Sequence, residues 1–145
     1  MSVGILLVTH GRLGHYLLET LGNMMGTLPL SAEVLEIRRV QDPDVLLRQG
    51  HRVIERLNQG AGVLILTDAF GSTPSNIASQ LYEPGKTRVL AGINLPMLVR
   101  IFNYPKQSLE EMAQSAIEGG QRGIINCSPH PGEHCSPPPP QAGEG

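Results

Sequence analysis

A histidine and an aspartate stand where two apolar segments of the sequence end. His10 follows the apolar run Val3–Thr9, and Asp68 follows the apolar run Gly62–Thr67. Near pH 7 a neutral imidazole has a lone pair on one ring nitrogen, which is a good nucleophile toward phosphorus when the other nitrogen is fixed as a donor. A carboxylate can fix that second nitrogen, orient the ring and stabilise the positive charge that develops. The pair therefore predicts a phosphohistidine site, provided that the fold brings the two side chains together.

The segment after Asp68 has the residue types of a phosphate-binding loop. A phosphoryl group brings about two negative charges, which backbone N–H groups and the start of a helix stabilise. Pro74 is typical of the first turn of a helix, and Thr73 before it is the expected cap, so hydroxyls and free amides gather here. A glycine after the histidine also leaves its ring open to approach. The predicted phosphate-binding residues, each supplying an amide or a hydroxyl, are Gly11, Gly71, Ser72 and Thr73.

Each of these residues also has an ordinary structural explanation. A histidine at a strand end is more often a surface residue than a nucleophile, and an aspartate or a Gly-Ser-Thr-Pro segment there commonly forms a turn into a helix. It is the combination that favours phosphoryl chemistry. Arg12 could contact the phosphate, although a surface arginine explains it equally well. His15 and His51 fall within predicted helices, where a solvated face explains both.

The elements that must position this site follow from the apolar patterns. The predicted strands, which are short apolar runs, are 3–9, 34–37, 62–67 and 88–93, with a weaker fifth at 123–126. The predicted helices, whose apolar residues recur every three or four positions, are 13–25, 43–59, one beginning at Pro74, 96–102 and 109–118, with Gly119-Gly120 ending the last. Strand and helix alternate four times, which favours a doubly wound α/β fold with a mostly parallel sheet and helices on both faces.

The order of the strands decides which loops meet. If the spatial order is 2-1-3-4, the loops after strands one and three are neighbours beyond the carboxyl ends of the strands, where such folds bind ligands. Those two loops hold His10 and residues 68–73. The topology therefore predicts that Asp68 lies beside the imidazole.

Length, charge and composition exclude several classes of function. The 145 residues suit one domain, here 1–126, followed by a proline-rich tail at 127–145. A net charge of -2, with 11 basic and 13 acidic residues, leaves no basic surface for nucleic acid, and Arg38-Arg39 is too short a run to form one. The first apolar run is too short to span a bilayer and has no basic segment before it, so we expect a cytoplasmic protein without membrane insertion.

The tail contains four residues of metal-ligating type. Cys127, His130, His134 and Cys135 lie close together in the sequence, and such mixtures can bind zinc. The surrounding prolines, four of them consecutive, instead favour an extended, disordered segment. We therefore expect no metal and no cofactor.

Three segments of the chain carry a resemblance to a known family. They are Thr9-His10-Gly11, Asp68-Ala-Phe-Gly-Ser-Thr-Pro-Ser-Asn76 and Ala91-Gly-Ile-Asn-Leu-Pro-Met97, each at or after the end of a predicted strand. In this order and spacing they resemble the mannose-family IIA component of the bacterial sugar phosphotransferase system, over about residues 1–126. The resemblance implies a phosphotransferase in which His10 accepts a phosphoryl group on Nε2 and Asp68 binds the other ring nitrogen. It also implies that Thr73 and nearby amides hold the phosphate.

The resemblance implies partners as well. The phosphoryl donor is expected to be the carrier protein HPr or a related carrier, and the acceptor a IIB protein. Family proteins often continue through a linker into a IIB domain, whereas residues 128–145 are proline-rich, so we expect a separate IIB protein or a regulatory role read from the phosphorylation state. Family members are typically homodimers in which a C-terminal strand, here Gly123–Asn126, pairs with the partner's sheet, with Gly119-Gly120 as a hinge.

One residue of the loop departs from the family's pattern. Family members often have a second glycine where this chain has Ser72. If that position needs a positive φ, the serine costs about 1–2 kcal/mol. We therefore expect a slightly different arrangement of the loop.

Two functions of other classes stay open at this point. A flavodoxin-like binder of a phosphorylated cofactor would use the same edge of the sheet, although a chain with no Trp, two Phe and three Tyr has little to stack on a flavin. The other alternative is a non-catalytic regulator that keeps the same fold and binds a partner by its surface. The intact trio of His10, Asp68 and Thr73 favours phosphoryl chemistry over both.

Overall fold

The computed structural model describes residues 1–128. The predictions for His130, His134 and Cys135, and the disorder predicted for the tail beyond residue 128, lie outside the described residues. Within residues 1–128, four strands and five helices alternate, except that two helices follow one another at the carboxyl end.

The strands form one parallel sheet. They are β1 (Gly4–His10), β2 (Ala32–Ile37), β3 (Val63–Thr67) and β4 (Thr87–Ala91), in the spatial order β2-β1-β3-β4. β1 therefore pairs with β2 on one side and with β3 on the other. The predicted order is confirmed. The two central strands are the continuous apolar runs of the sequence because both of their faces are covered.

Five helices cover the two faces of this sheet. They are α1 (Leu13–Met25), α2 (Pro43–Leu57), α3 (Thr73–Gln80), α4 (Leu95–Asn103) and α5 (Leu109–Arg122). Ile5 and Leu7 of β1 pack in the core formed with α1, α4 and α5, whereas Leu6 and Val8 pack in the core formed with α2 and α3. The predicted doubly wound architecture is confirmed. None of these described helices is both long and apolar enough to cross a bilayer.

The start of α3 differs from the prediction. Ser72, and not Thr73, is the cap: its hydroxyl accepts a hydrogen bond from the N–H of Ser75 at 3.4 Å, and Thr73 is the first helical residue. The φ of Ser72 is -77°, so a serine is unstrained there, and the positive φ falls instead on Gly71, at 86°. The cap lies one residue earlier because the extended backbone of Ser72 lets its side chain fold back onto the third helical N–H.

The paired glycines near the carboxyl end lie inside α5. The helix continues past Gly119-Gly120 to Arg122. A Cβ added to Gly119 would lie 2.6 Å from the Cβ of Arg100, on α4, and the carbonyl of Gly120 accepts a hydrogen bond from Nδ2 of Asn94 at 3.1 Å. The helix end predicted at Gly119-Gly120 is therefore wrong, whereas a hinge there for strand exchange in a dimer stays a prediction. Glycine is required at position 119 because α4 and α5 approach too closely for a side chain.

The fifth strand predicted at Gly123–Asn126 is not formed within a single copy of the chain. These residues lie outside every strand of the described part. A strand that pairs only with a second copy would have its hydrogen-bonding partners in that copy. The exchange of this segment in a dimer stays a prediction.

Candidate functional site

The site lies at the carboxyl ends of three neighbouring strands. His10 is the last residue of β1, and Asp68 directly follows β3, whose Thr67 is opposite Val8. On the other side, His10 is opposite Ile37, the last residue of β2. The parallel pairing therefore brings the segments after all three strands to one edge of the sheet, as expected for ligand sites in this class of fold.

Asp68 contacts both the backbone and the ring of His10. Its Oδ2 accepts a hydrogen bond from the backbone N–H of His10 at 2.8 Å and lies 2.8 Å from Nδ1 of the same residue. The side chain of Asp68 is 12% exposed, whereas that of His10 is 60% exposed. The structure therefore brings the two predicted residues into contact, with the aspartate largely buried and the imidazole exposed to solvent.

The surroundings of Asp68 keep its carboxyl group ionised. Burial raises the pKa of Asp68, but hydrogen bonds from the backbone and ring of His10 and from the N–H of Ala69 outweigh burial and hold the pKa below its ordinary value. An ionised carboxylate can only accept, so Nδ1 of His10 is the donor, and in the neutral imidazole the lone pair lies on Nε2. The nitrogen available for bond formation is therefore Nε2.

Two further contacts fix the position of Asp68. The backbone N–H of Gly92 donates to the carbonyl of Asp68 at 2.6 Å, with a φ of 90° at Gly92 that glycine adopts without strain. The hydroxyl of Ser72 lies 3.3 Å from Oδ1 of Asp68 and 2.6 Å from the carbonyl oxygen of Ala69. The segment after β4 and the start of α3 therefore hold this aspartate from two directions.

The predicted phosphate loop has fewer free donors than its composition suggests. The N–H of Gly71 donates to Oγ of Ser75 at 3.3 Å, and the N–H of Gly11 donates to the carbonyl of Ile37 at 2.9 Å. The N–H and the hydroxyl of Thr73, by contrast, make no hydrogen bond to any other residue in the range 1–128. Thr73 is therefore the residue of the predicted set whose donors are available to a ligand.

A cleft of about 470 Å³ opens beside the exposed imidazole. Its lining joins the predicted site to the segment after β2 and consists of His10, Gly11, Ile37, Arg38, Arg39 and Thr73. The two arginines were missed as site residues, because they were weighed only as a surface for nucleic acid. A signal for them existed: in the order 2-1-3-4, the end of the second strand neighbours His10 as closely as the end of the third.

The carboxylate of Glu36, in β2, contacts three basic side chains near this cleft. Its oxygens lie 2.7 Å from Nη2 of Arg38, 2.9 Å from Nε2 of His15 and 3.5 Å from Nη1 of Arg12. The hydrogen bond from Arg38 is the main reason that the pKa of Glu36 lies below its ordinary value. Arg12 and His15, which have ordinary surface explanations in the sequence, therefore share one carboxylate of β2.

An aromatic side chain is exposed in the loop after β3. Phe70 lies two residues beyond Asp68, and 89% of its surface is accessible. Aromatic side chains are enriched at protein interfaces. The motif contains this residue, but sequence reasoning assigned it no role.

Comparisons with known proteins point to IIA components of the phosphotransferase system (PTS). The EIIA-man family model, described as PTS system fructose IIA component, matches residues 4–117. The PTS system mannose-specific EIIAB component of Escherichia coli K12 is 28% identical over 142 residues, which cover 96% of this chain and 44% of the relative. The chain therefore spans less than half the length of that relative. The PTS system fructose-specific EIIA component of Bacillus subtilis is 28% identical over 82 residues, 55% of this chain and 56% of the relative.

A solved structure shares the fold. The mannose/sorbose specific IIA subunit of the phosphotransferase system from Enterococcus faecalis superimposes with a TM-score of 0.76 at 23% sequence identity. The match covers 90% of this chain and 98% of that subunit. The likeness therefore extends over nearly the whole of the described part.

Proposed function

The chain belongs to the EIIA-man family of phosphotransferase-system IIA components, and on this premise we propose that it is a phosphoryl carrier phosphorylated on His10. Membership of the family assigns a role in the sugar phosphotransferase system. The observation that carries the proposal is the 2.8 Å contact between Nδ1 of His10 and Oδ2 of Asp68. This contact leaves Nε2 as the free nitrogen of an exposed ring.

The transfer step uses the free nitrogen of His10. The lone pair on Nε2 forms a bond to phosphorus, while the bond from phosphorus to the nitrogen of the donor's phosphohistidine breaks and leaves its electron pair on the donor ring. The proton on Nδ1 of His10 stays in place, hydrogen-bonded to Asp68. The ring gains positive charge as the new bond forms, and the adjacent carboxylate stabilises that charge.

The phosphoryl oxygens need hydrogen-bond donors beside His10. The hydroxyl and N–H of Thr73 are available. Thr73 lines the same cleft as His10 and is the first residue of α3, where the helix dipole favours an anion. The hydroxyl of Ser72 contacts Oδ1 of Asp68, and Ser72 caps α3. Gly11 and Gly71 adopt the positive φ that the turns after His10 and before α3 require. Positioning and charge stabilisation of this kind are the main requirements of phosphoryl transfer.

The partners follow from the same proposal. The donor is phosphorylated HPr or a related carrier, the acceptor is a IIB protein, and the exchange takes place in the cytoplasm between a homodimer of this chain and those partners. A carrier must expose its histidine to two proteins in turn, which agrees with the exposure of the His10 ring and of Phe70. A role as a regulator read in its two phosphorylation states uses the same chemistry.

Labelling with defined components tests the proposal. The protein is incubated with phosphoenolpyruvate, enzyme I and HPr, and its mass is measured. We expect one added phosphoryl group that is stable to base, labile to acid and absent from His10→Ala. His51→Gln is the matched control, because His51 lies 4.0 Å from Glu83 and away from the cleft, and it is expected to be labelled normally.

Two outcomes would count against the proposal. Labelling that persists in His10→Ala would place the phosphoryl group elsewhere. No labelling by phosphorylated HPr or a related carrier, together with retained binding of a partner, would favour the non-catalytic regulator. The flavodoxin-like alternative gains no support, because the family that matches residues 4–117 is a IIA family.

A further inference from the structure

The charged side chains that line the cleft beside His10 are all basic. They are Arg38 and Arg39, and no carboxylate is among the lining residues. The same lining includes Thr73 and His10. Guanidinium and hydroxyl groups around one small cleft are the donors that bind a phosphoryl group.

The backbone holds these arginines next to His10. The N–H of Gly11 donates to the carbonyl of Ile37 at 2.9 Å, which joins the residue after β1 to the end of β2. One residue further, the N–H of Arg38 donates to Oε1 of Gln41 at 2.7 Å. These bonds hold the backbone of the turn after β2 beside the end of β1, and Arg38 and Arg39 lie in this turn and line the cleft with His10.

The two arginines differ in what they already bind. The guanidinium of Arg38 contacts Oε2 of Glu36 at 2.7 Å, and that carboxylate also lies within ion-pair distance of Arg12. Arg39 has no ion pair or hydrogen bond through its side chain to any residue between positions 1 and 128. Arg39 can therefore bind an incoming anion without first breaking an ion pair, whereas Arg38 would have to release Glu36.

We propose that Arg39 binds the phosphoryl group carried on His10. This inference rests on the proposed function and adds to it a residue outside the three motifs that resemble the family. The planar guanidinium can donate two parallel hydrogen bonds to two phosphoryl oxygens, while Thr73 donates to the third. Arg39 thereby favours the phosphorylated state, and Arg38 remains paired with Glu36.

The first test measures anion binding by the unphosphorylated protein. Inorganic phosphate is titrated at constant ionic strength and followed by backbone NMR, with shifts expected at His10, Gly11 and Thr73. Arg39→Gln is expected to weaken phosphate binding at least tenfold, because the loss of a single charge-assisted hydrogen bond already costs about that much. Arg39→Lys is expected to restore part of the affinity. Lys86→Gln, which removes a positive charge just before β4 at the opposite edge of the sheet, is expected to bind phosphate normally.

Several results of this titration would overturn the inference. They are the absence of phosphate binding by the unsubstituted protein, equal affinity in Arg39→Gln, and an equal loss in Lys86→Gln. The NMR spectrum of Arg39→Gln is expected to be unchanged away from the cleft, which checks that the substitution of this exposed residue leaves the fold intact.

The second test separates this inference from the proposed function. In transfer from phosphorylated HPr, Arg39→Gln is expected to acquire its phosphoryl group about tenfold more slowly than the unsubstituted protein. If the unsubstituted protein is not phosphorylated but its phosphate affinity still depends on Arg39, the carrier function fails and the anion site stands. If Arg39→Gln slows transfer but binds inorganic phosphate normally, Arg39 contacts the partner protein and the inference is wrong.

Discussion

A single oxygen of Asp68, Oδ2, contacts both the backbone N–H and the ring Nδ1 of His10, each at 2.8 Å. Because one atom serves both groups, the orientation of the imidazole is tied to the position of its own main chain. The carboxylate in turn accepts a hydrogen bond from the N–H of Ala69, and the backbone carbonyl of Asp68 accepts one from the N–H of Gly92. The exposed ring of His10 is therefore oriented by hydrogen bonds to a largely buried aspartate.

The charge of Asp68 is expected to matter more for transfer than its shape. Asp68→Asn keeps the size of the side chain and an oxygen that can face Nδ1, but it cannot stabilise the positive charge of the ring. We expect phosphorylation of His10 to slow by about 10- to 100-fold, the loss typical of a supporting carboxylate. The rate is measured with phosphorylated HPr, and Asp44→Asn, at an exposed position of α2, is the control. Equal rates in the two variants would contradict this role.

The same aspartate is expected to make stability depend on pH below about pH 4. The pKa of Asp68 in the folded protein lies below its ordinary value of 3.8. The contribution of the ionised carboxylate to the free energy of unfolding is therefore fully present above the unfolded-state pKa. It is lost as the pH falls through the folded-state pKa. The free energy of unfolding by urea is compared for the unsubstituted protein and Asp68→Asn between pH 7 and pH 3. The difference between the two is expected to shrink on acidification, and a constant difference would show that the carboxylate carries no such linkage.

The sequence predicted the central pair of the site because two independent patterns agree. Apolar runs mark β1 and β3, and parallel pairing of adjacent strands brings their carboxyl ends together, so His10 and Asp68 could be placed side by side. The parallel pairing of β1 with β2 likewise places Arg38 and Arg39, which follow β2, beside the end of β1. They were missed because a short basic run carries no chemical signal until its neighbour in space is considered.

Other errors came from features that depend on backbone dihedrals or on approach between distant elements. Thr73 and Ser72 are both good caps by residue type, and only the extended φ and ψ of Ser72 decide between them. A glycine pair near the end of a periodic segment resembles a helix terminus. The close contact between Gly119 and Arg100 has no counterpart in the local sequence, because it depends on how α4 packs against α5.

Substitutions at the start of α3 are expected to distinguish the two candidate caps. Ser72→Ala removes the hydroxyl that accepts from Ser75 and is expected to lower the free energy of unfolding by about 0.5–2 kcal/mol. Ser72→Gly is expected to cost only a few tenths of a kcal/mol relative to serine, since glycine is tolerated at caps. Thr73→Ala, at the first helical residue, is expected to change stability less than Ser72→Ala. Urea unfolding measures all three, and a larger loss for Thr73→Ala would reverse the assignment of the cap.

Alanine at two helical glycines is expected to have opposite effects on stability. A Cβ at position 119 would lie 2.6 Å from the Cβ of Arg100, which is fixed to the backbone of α4, so Gly119→Ala forces α4 and α5 apart. We expect this overpacking to lower the free energy of unfolding by about 1–3 kcal/mol. Gly22, in α1, has no heavy atom within 4 Å of an added Cβ, and Gly22→Ala is expected to raise the free energy by about 0.5–1 kcal/mol because alanine loses less conformational entropy in a helix. Thermal and urea unfolding measure both variants. A gain in stability for Gly119→Ala would mean that the two helices are not held at this distance.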